Sequence, residues 1–164
     1  MLNAALPEAS LMAHPLKTPG RLLALDYGHK RFGLAVSDEL QLTVQPHHVY
    51  YRVNRREDFR YLRQTVRSLG VRRIVLGRPV HIDGQRSEMT DEVENYAVRL
   101  RKELAIEVAL QDERLTTWEA RQLHIAKKSK NEFEPVDAIA AAVLLRDYLE
   151  HHRTSGPSPL PEIS

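Results

Sequence analysis

Leu22-Leu23-Ala24-Leu25-Asp26-Tyr27-Gly28-His29-Lys30-Arg31-Phe32-Gly33-Leu34-Ala35-Val36-Ser37-Asp38 reads as an apolar strand ending on a carboxylate, a tight turn and a returning strand. Leu22 to Leu25 is a short apolar run with no helical period, the pattern of a buried strand. Gly28 is expected to supply the positive φ of a hairpin turn, and Gly33 to let another backbone or a ligand approach closely. Asp26 therefore stands at the end of a rigid central strand. There it either binds a ligand or bonds the amides of its own turn.

The chain has 164 residues, enough for one domain with a sizeable core. It holds 42% hydrophobic and 28% charged residues, ordinary values for a soluble globular protein. No apolar run approaches the roughly 20 residues that span a bilayer, so no membrane partner is expected. The first 20 residues lack a basic start followed by an apolar stretch, which makes a poor signal peptide. Cysteine is absent, so any metal must be held by carboxylates, imidazoles or backbone oxygens. The simple reading is a cytoplasmic protein.

Residues 1–20 read as a flexible arm and residues 152–164 as a flexible tail, leaving a folded body over residues 21–151. After the hairpin, Gln41–Tyr51 is expected as a third strand, with Pro46 marking a bulge or an edge. Asn54 can cap a helix over Arg55–Leu69, packed through Phe59, Leu62, Val66 and Leu69 and stopped by Gly70. Arg73–Gly77 is the next strand, and Ser87 opens a helix to Leu104. Ile106–Leu110 is the fifth strand and runs into Asp112-Glu113-Arg114. Thr116 or Thr117 opens a short helix, and Pro135 starts a final helix over Val136–Leu149, apolar almost all round. Hairpin strands first, then strands alternating with helices, give an α/β domain. Its five-stranded sheet is mixed, antiparallel at the start and parallel later, and flanked by helices.

Ligand sites in such sheets form off the carboxyl ends of the parallel strands. Asp26 ends the first strand, Asp112 and Glu113 follow the fifth, and Asp137 lies in the first turn of the final helix. Three clustered carboxylates repel unless a counter-ion joins them. A hard divalent cation, Mg²⁺ or Mn²⁺, favours oxygen ligands and relieves that repulsion. Cages of this kind activate water and stabilise the leaving oxygen in phosphodiester cleavage. Each acid also has a plainer reading. For Asp137 it is to complement a helix dipole, and for Glu113 to pair with Arg114. Asp112 competes with Glu113 for the site, since strand neighbours point to opposite faces.

Charge is unevenly spread. Eight arginines (Arg52, Arg55, Arg56, Arg60, Arg63, Arg67, Arg72 and Arg73) face only Glu57 and Asp58, a local balance of +6. Arg56, Arg60, Arg63 and Arg67 form a stripe on one helix, either a solvated face or a grip on phosphates. With Lys30, Arg31, Arg78 and the basic 127–130 connector, the stripe suggests a nucleic-acid backbone as partner. Tyr50, Tyr51 and Tyr61 either stack on bases or pack locally. His47-His48 and His151-His152 read as surface pairs without a third metal ligand.

Four motifs in order carry a family resemblance: Asp26-Tyr27-Gly28-His29-Lys30-Arg31-Phe32-Gly33 with Ser37-Asp38, Gly77-Arg78-Pro79-Val80-His81-Ile82-Asp83-Gly84, Asp112-Glu113-Arg114-Leu115-Thr116-Thr117, and Asp137-Ala138-Ile139-Ala140-Ala141. Together they resemble the YqgF/RuvX family, described as pre-16S rRNA nucleases and as Holliday-junction-resolvase-like proteins. The resemblance implies an RNase H-like fold and a metal-dependent nuclease whose acids map to Asp26, Glu113 and Asp137. It implies Glu113 rather than Asp112 as the ligand, and a role in maturing ribosomal RNA ends or in processing branched DNA. RNA is the favoured partner, branched DNA the alternative, and monomer and homodimer both stay open. Lys30 and Arg31 would hold the scissile phosphate and Arg114 a neighbouring one. Gly28, Gly33, Asp112, Thr116 and Thr117 would support the site. A third reading keeps the arginine helix as a binding surface of a ribosome-assembly factor with a vestigial site. Arg78 departs from the family pattern, which places an aliphatic residue between the glycine and the proline.

Overall fold

The apolar runs become five strands in the computed structural model, which describes residues 20–79, 83–113 and 136–154. They are β1 (Arg21–Tyr27), β2 (Arg31–Ser37), β3 (Val44–Tyr51), β4 (Val71–Arg78) and β5 (Glu107–Asp112), in the order β3-β2-β1-β4-β5. β2 runs antiparallel to both β1 and β3, whereas β4 is parallel to both β1 and β5. This is the mixed sheet expected. The helices among the described residues are α1 (Arg55–Leu69), α2 (Glu88–Leu104) and α3 (Val136–Thr154).

Alternation along the strands sorts the core into two layers. Leu23, Leu25, Phe32, Leu34, Ile74, Leu76 and Val108 pack under α1 and α2. Leu22, Ala24, Ala35 and Val75 pack against Ala141, Leu145 and Leu149 of α3 on the other face. Local signals set the helix ends. Asn54 accepts from the Glu57 amide at 3.0 Å, and Gly70 closes α1 with φ 64°. Ser87 and Thr90 form a reciprocal capping box at the start of α2.

Several boundaries differ from the sequence reading. β3 begins at Val44 rather than Gln41, because Gln41 takes φ 59° in a turn whose amides bond the Asp38 carboxylate. β3 is an edge strand, and its register shifts where Ala35 meets Pro46, so both readings of that proline hold. β5 runs two residues further than expected, to Asp112. Gly20 belongs to the folded body rather than the arm, since its amide bonds Glu39 and its carbonyl accepts from Gln41. α3 continues through Thr154, past the expected start of the tail at residue 152. The rest of both ends, and the short helix expected from Thr116 or Thr117, lie outside the described residues.

Gln111 sits in β5 opposite Gly77, only 5% exposed, and its side-chain nitrogen has no hydrogen-bond partner among the described residues. A buried amide donor left unmade costs about 1–3 kcal/mol. Gln111→Met, of similar shape, is therefore expected to raise stability by about 1 kcal/mol, read from the midpoint of urea unfolding.

Candidate active site

β1, β4 and β5 all end at one rim of the sheet, and the β1–β2 turn lies there too. Leu22 and Ala24 face α3, so Asp26, two residues further on, shares that face. Its neighbour across β2 is Gly33, and on β4 the register Leu25–Leu76 sets Gly77 beside it. Both flanking residues are glycines, and each has a carboxylate-bearing residue lying over it. A methyl group on Gly33 would overlap the backbone carbonyl of Asp137 and stand 2.9 Å from its Cβ. A methyl group on Gly77 would stand 2.6 Å from Oε1 of Glu113. The N-terminus of α3 thus rests on β2, and the Glu113 side chain reaches back over β4. Asp26 lies between them.

The same parity separates Asp112 from Glu113. Val108 and Leu110 pack toward α1 and α2, which puts Asp112 on that face, away from Asp26. Glu113 lies over Gly77 on the α3 face.

The turn behind Asp26 is fixed by groups that the sequence reading did not single out. Arg52 donates from Nη1 to the Gly28 carbonyl at 3.0 Å and from Nε to Asp58 at 3.0 Å. Its guanidinium lies 4.6 Å from the centre of the Phe32 ring and 5.1 Å from that of Tyr27. Glu92 of α2 accepts from the Tyr27 hydroxyl at 2.8 Å and meets His29 Nε2 at 2.6 Å. Bonds from His29 first, then Tyr27, hold the Glu92 carboxyl below its ordinary range. Gly28 does not take the positive φ expected of it. Its requirement is spatial instead, because a Cβ there would stand 2.6 Å from the Arg31 carbonyl oxygen.

Asp58 is almost fully buried, and besides Arg52 it accepts from the Tyr50 hydroxyl and the Val53 amide. Burial, and next the bond to Asp58, push the Tyr50 phenol up to about 12. Removing one partner of a buried pair costs about 3–5 kcal/mol, because the other charge is stranded. Arg52→Met is expected to lose about 3 kcal/mol of stability. Adding Asp58→Asn should recover part of that loss in the same denaturation assay.

The basic residues divide into different uses. Arg31, on the acid face, forms an ion pair with Asp137. Lys30 is exposed at the turn beside it. Arg78 points to the opposite face and bonds Glu94 at 2.7 Å, so it is held in a salt bridge on α2 rather than at the acids. Arg86 and then Arg78 lower the Glu94 carboxyl to about 2. Arg56, Arg60, Arg63 and Arg67 ride on α1, across the sheet from Asp26. Tyr50 stacks on Tyr61 with ring centres 4.0 Å apart, which is local packing, while Tyr51 stays exposed. Arg114, Thr116, Thr117 and the 127–130 connector lie outside the described residues.

The family model described as RuvX, Holliday junction resolvase, matches residues 20–151. The chain belongs to the RuvX family. A RuvX relative from Koribacter versatilis, named "Putative pre-16S rRNA nuclease", is 38% identical over 151 residues, covering 91% of this chain and 99% of its own. One of the same name from Geobacillus kaustophilus is 38% identical over 137 residues, covering 81% and 99%. Among solved structures, T. thermophilus RuvC in complex with a Holliday junction substrate superposes with a TM-score of 0.58 at 10% identity, covering 86% of this chain and 99% of that one. That likeness establishes the RNase H-like fold. In this RuvX chain no helix among the described residues is long and apolar enough to cross a membrane.

Among the described residues of this RuvX chain, no three His, Asp or Glu side chains converge into a ready-formed metal cage. The donor set itself fits a hard divalent ion. It is composed of carboxylate oxygens, and two glycines leave the volume beside Asp26 to Asp137 and Glu113. Asp137 already takes a cationic partner, the Arg31 guanidinium.

Proposed function

We propose that this protein is a divalent-metal-dependent nuclease that cleaves RNA phosphodiester bonds, with Asp26, Glu113 and Asp137 as its metal-holding acids. The observation that supports this reading is the glycine pair, Gly33 and Gly77, which flanks Asp26 in the sheet and is overlain by the Asp137 backbone on one side and the Glu113 side chain on the other. With Mg²⁺ or Mn²⁺ bound, such a centre activates water and neutralises the leaving oxygen.

The chain's own residues supply the rest. Arg52, Glu92 and the aromatic ring cluster hold the β1–β2 turn, so Asp26 is presented without reorganisation when substrate arrives. Lys30 and Arg31 flank the acids and grip the scissile phosphate. Arg31 exchanges its bond to Asp137 for one to phosphate oxygen, a bidentate acceptor suited to guanidinium. Arg114 clamps a neighbouring phosphate, and Thr116 and Thr117 support the site. The name shared by the relatives, "Putative pre-16S rRNA nuclease", favours processing of the 16S rRNA precursor as the cellular task.

A panel of labelled substrates tests this. Single-stranded RNA, a structured rRNA precursor and a four-way DNA junction are incubated with Mn²⁺, with Mg²⁺ and with EDTA. Cleavage of the precursor, lost in EDTA, is the expected result. Paired cuts in the junction with RNA untouched would favour the resolvase reading, which requires a two-fold dimer. Cutting indifferent to EDTA would overturn the metal assignment.

A further inference from the structure

We propose that the groove between α1 and α2 is a second nucleic-acid binding surface, which takes the sugar–phosphate backbone of the RNA strand on the face of the sheet opposite the acids. The choice of RNA rests on the nuclease reading above. The groove itself does not.

Arg55, Arg56, Phe59, Arg63 and Glu103 line a groove of about 390 Å³. Phe59 forms its floor and is 4% exposed, too buried to stack on a base, so the groove suits a backbone rather than a base. The Arg55 guanidinium lies 6.0 Å from the Phe59 ring centre, and Arg63 is anchored by a 3.1 Å bond to the Glu103 carbonyl. Charge on this helix is lopsided once internal pairs are removed. Asp58 is consumed by Arg52 inside the core. That leaves Glu57, at 3.8 Å from Arg60, and Glu103 of α2, at 4.0 Å from Arg63, against five arginines. A helix stabilised only by its own surface pairs would balance its signs. This one does not.

The path from the acids to the groove is also set by topology. β3 ends at Tyr51, paired with Arg31, so α1 begins at the same rim as Asp26. The stripe then runs down the other face, from Arg56 to Arg67, for about 16 Å at 1.5 Å rise per residue. The acids of α2 at that rim are largely paired, Asp91 and Glu94 with Arg86, Glu94 also with Arg78, and Glu92 with His29, so the unbalanced charge beside the groove is the arginine excess of α1. A strand cut on the α3 face must pass the β1–β2 turn to reach this groove. Only substrates long enough to round the rim use both surfaces.

Binding in EDTA separates this from cleavage. Fluorescence anisotropy with the full chain would compare single-stranded RNAs of about 6 and about 24 nucleotides over a salt series. The variants are Arg55→Gln/Arg56→Gln/Arg63→Gln and, leaving the Arg63 anchor intact, Arg55→Glu/Arg56→Glu. Arg72→Gln, outside the groove, is the control, and circular dichroism confirms folding. The triple variant should weaken the long RNA at least tenfold and lower the salt slope by about 2, at about 0.7 for each phosphate no longer neutralised. The short RNA should bind as before. Unchanged affinity and slope for the long RNA in both folded variants would overturn the proposal. A slope that drops in a protein that never cleaves would keep the groove and remove the nuclease; cleavage with an unchanged slope would do the reverse.

Discussion

Asp26→Asn is expected to abolish cleavage while leaving the fold and most RNA binding in place. The change is nearly isosteric, and it falls near the end of a strand whose residues Leu25 and Leu23 are fully buried and untouched by it. What it removes is one negative charge from the proposed acid site, whose other members are Asp137 and Glu113. Less mutual repulsion among carboxylates means the variant should unfold at a denaturant concentration no lower than the natural protein. Its affinity for Mn²⁺, read by titration calorimetry, should fall. Cleavage should fall by about 100-fold or more, the scale on which losing one preorganised charge-stabilising group acts. RNA affinity in EDTA should change little, because Lys30, Arg31 and the α1 arginines are intact. Cleavage within tenfold of the natural protein would remove Asp26 from the chemistry.

Much of the framework can be read from local signals. The Asn54 cap and the Gly70 stop bound α1 at the residues expected, and Ser87 opens α2 where it should. These devices act within a turn of the residues they control, so sequence suffices. The acids are legible as residue types at strand and helix ends, but their relative placement is not. Alternation says that Asp112 and Glu113 face apart; only the packing of Val108 and Leu110 under α1 and α2 says which faces Asp26. The arginines show the limit most clearly. Arg52, Arg63 and Arg78 look alike in sequence, yet one is locked in the core, one anchored on α2 and one salt-bridged to Glu94. Their partners lie 6, 40 and 16 residues away, and nothing in local spacing distinguishes them. Gly28 fails as a φ prediction for a similar reason, since the crowding comes from the Arg31 carbonyl across the turn.

The two glycines beside Asp26 offer the sharper test, because they meet different kinds of neighbour. A Cβ at position 33 runs into the backbone of Asp137, which can yield only by moving the first turn of α3. α3 is tied down through Ala141, Leu145 and Leu149, so the strain cannot relax without disturbing packed side chains. Gly33→Ala should lose about 2 kcal/mol of stability, within the range for overpacked cores, and should displace Asp137 enough to lower cleavage tenfold or more. A Cβ at position 77 meets a carboxylate oxygen at the end of a side chain, which can swing aside. Gly77→Ala should therefore cost little stability but carry Glu113 away from Asp26, with a comparable loss of cleavage and of Mn²⁺ affinity. Gly70→Ala is the control: nothing lies within 4 Å of its Cβ, and its φ of 64° strains the backbone alone. It should lose about 1 kcal/mol and cleave normally. If Gly77→Ala retained full activity, Glu113 would not be a working member of the site, whatever the fate of Asp26.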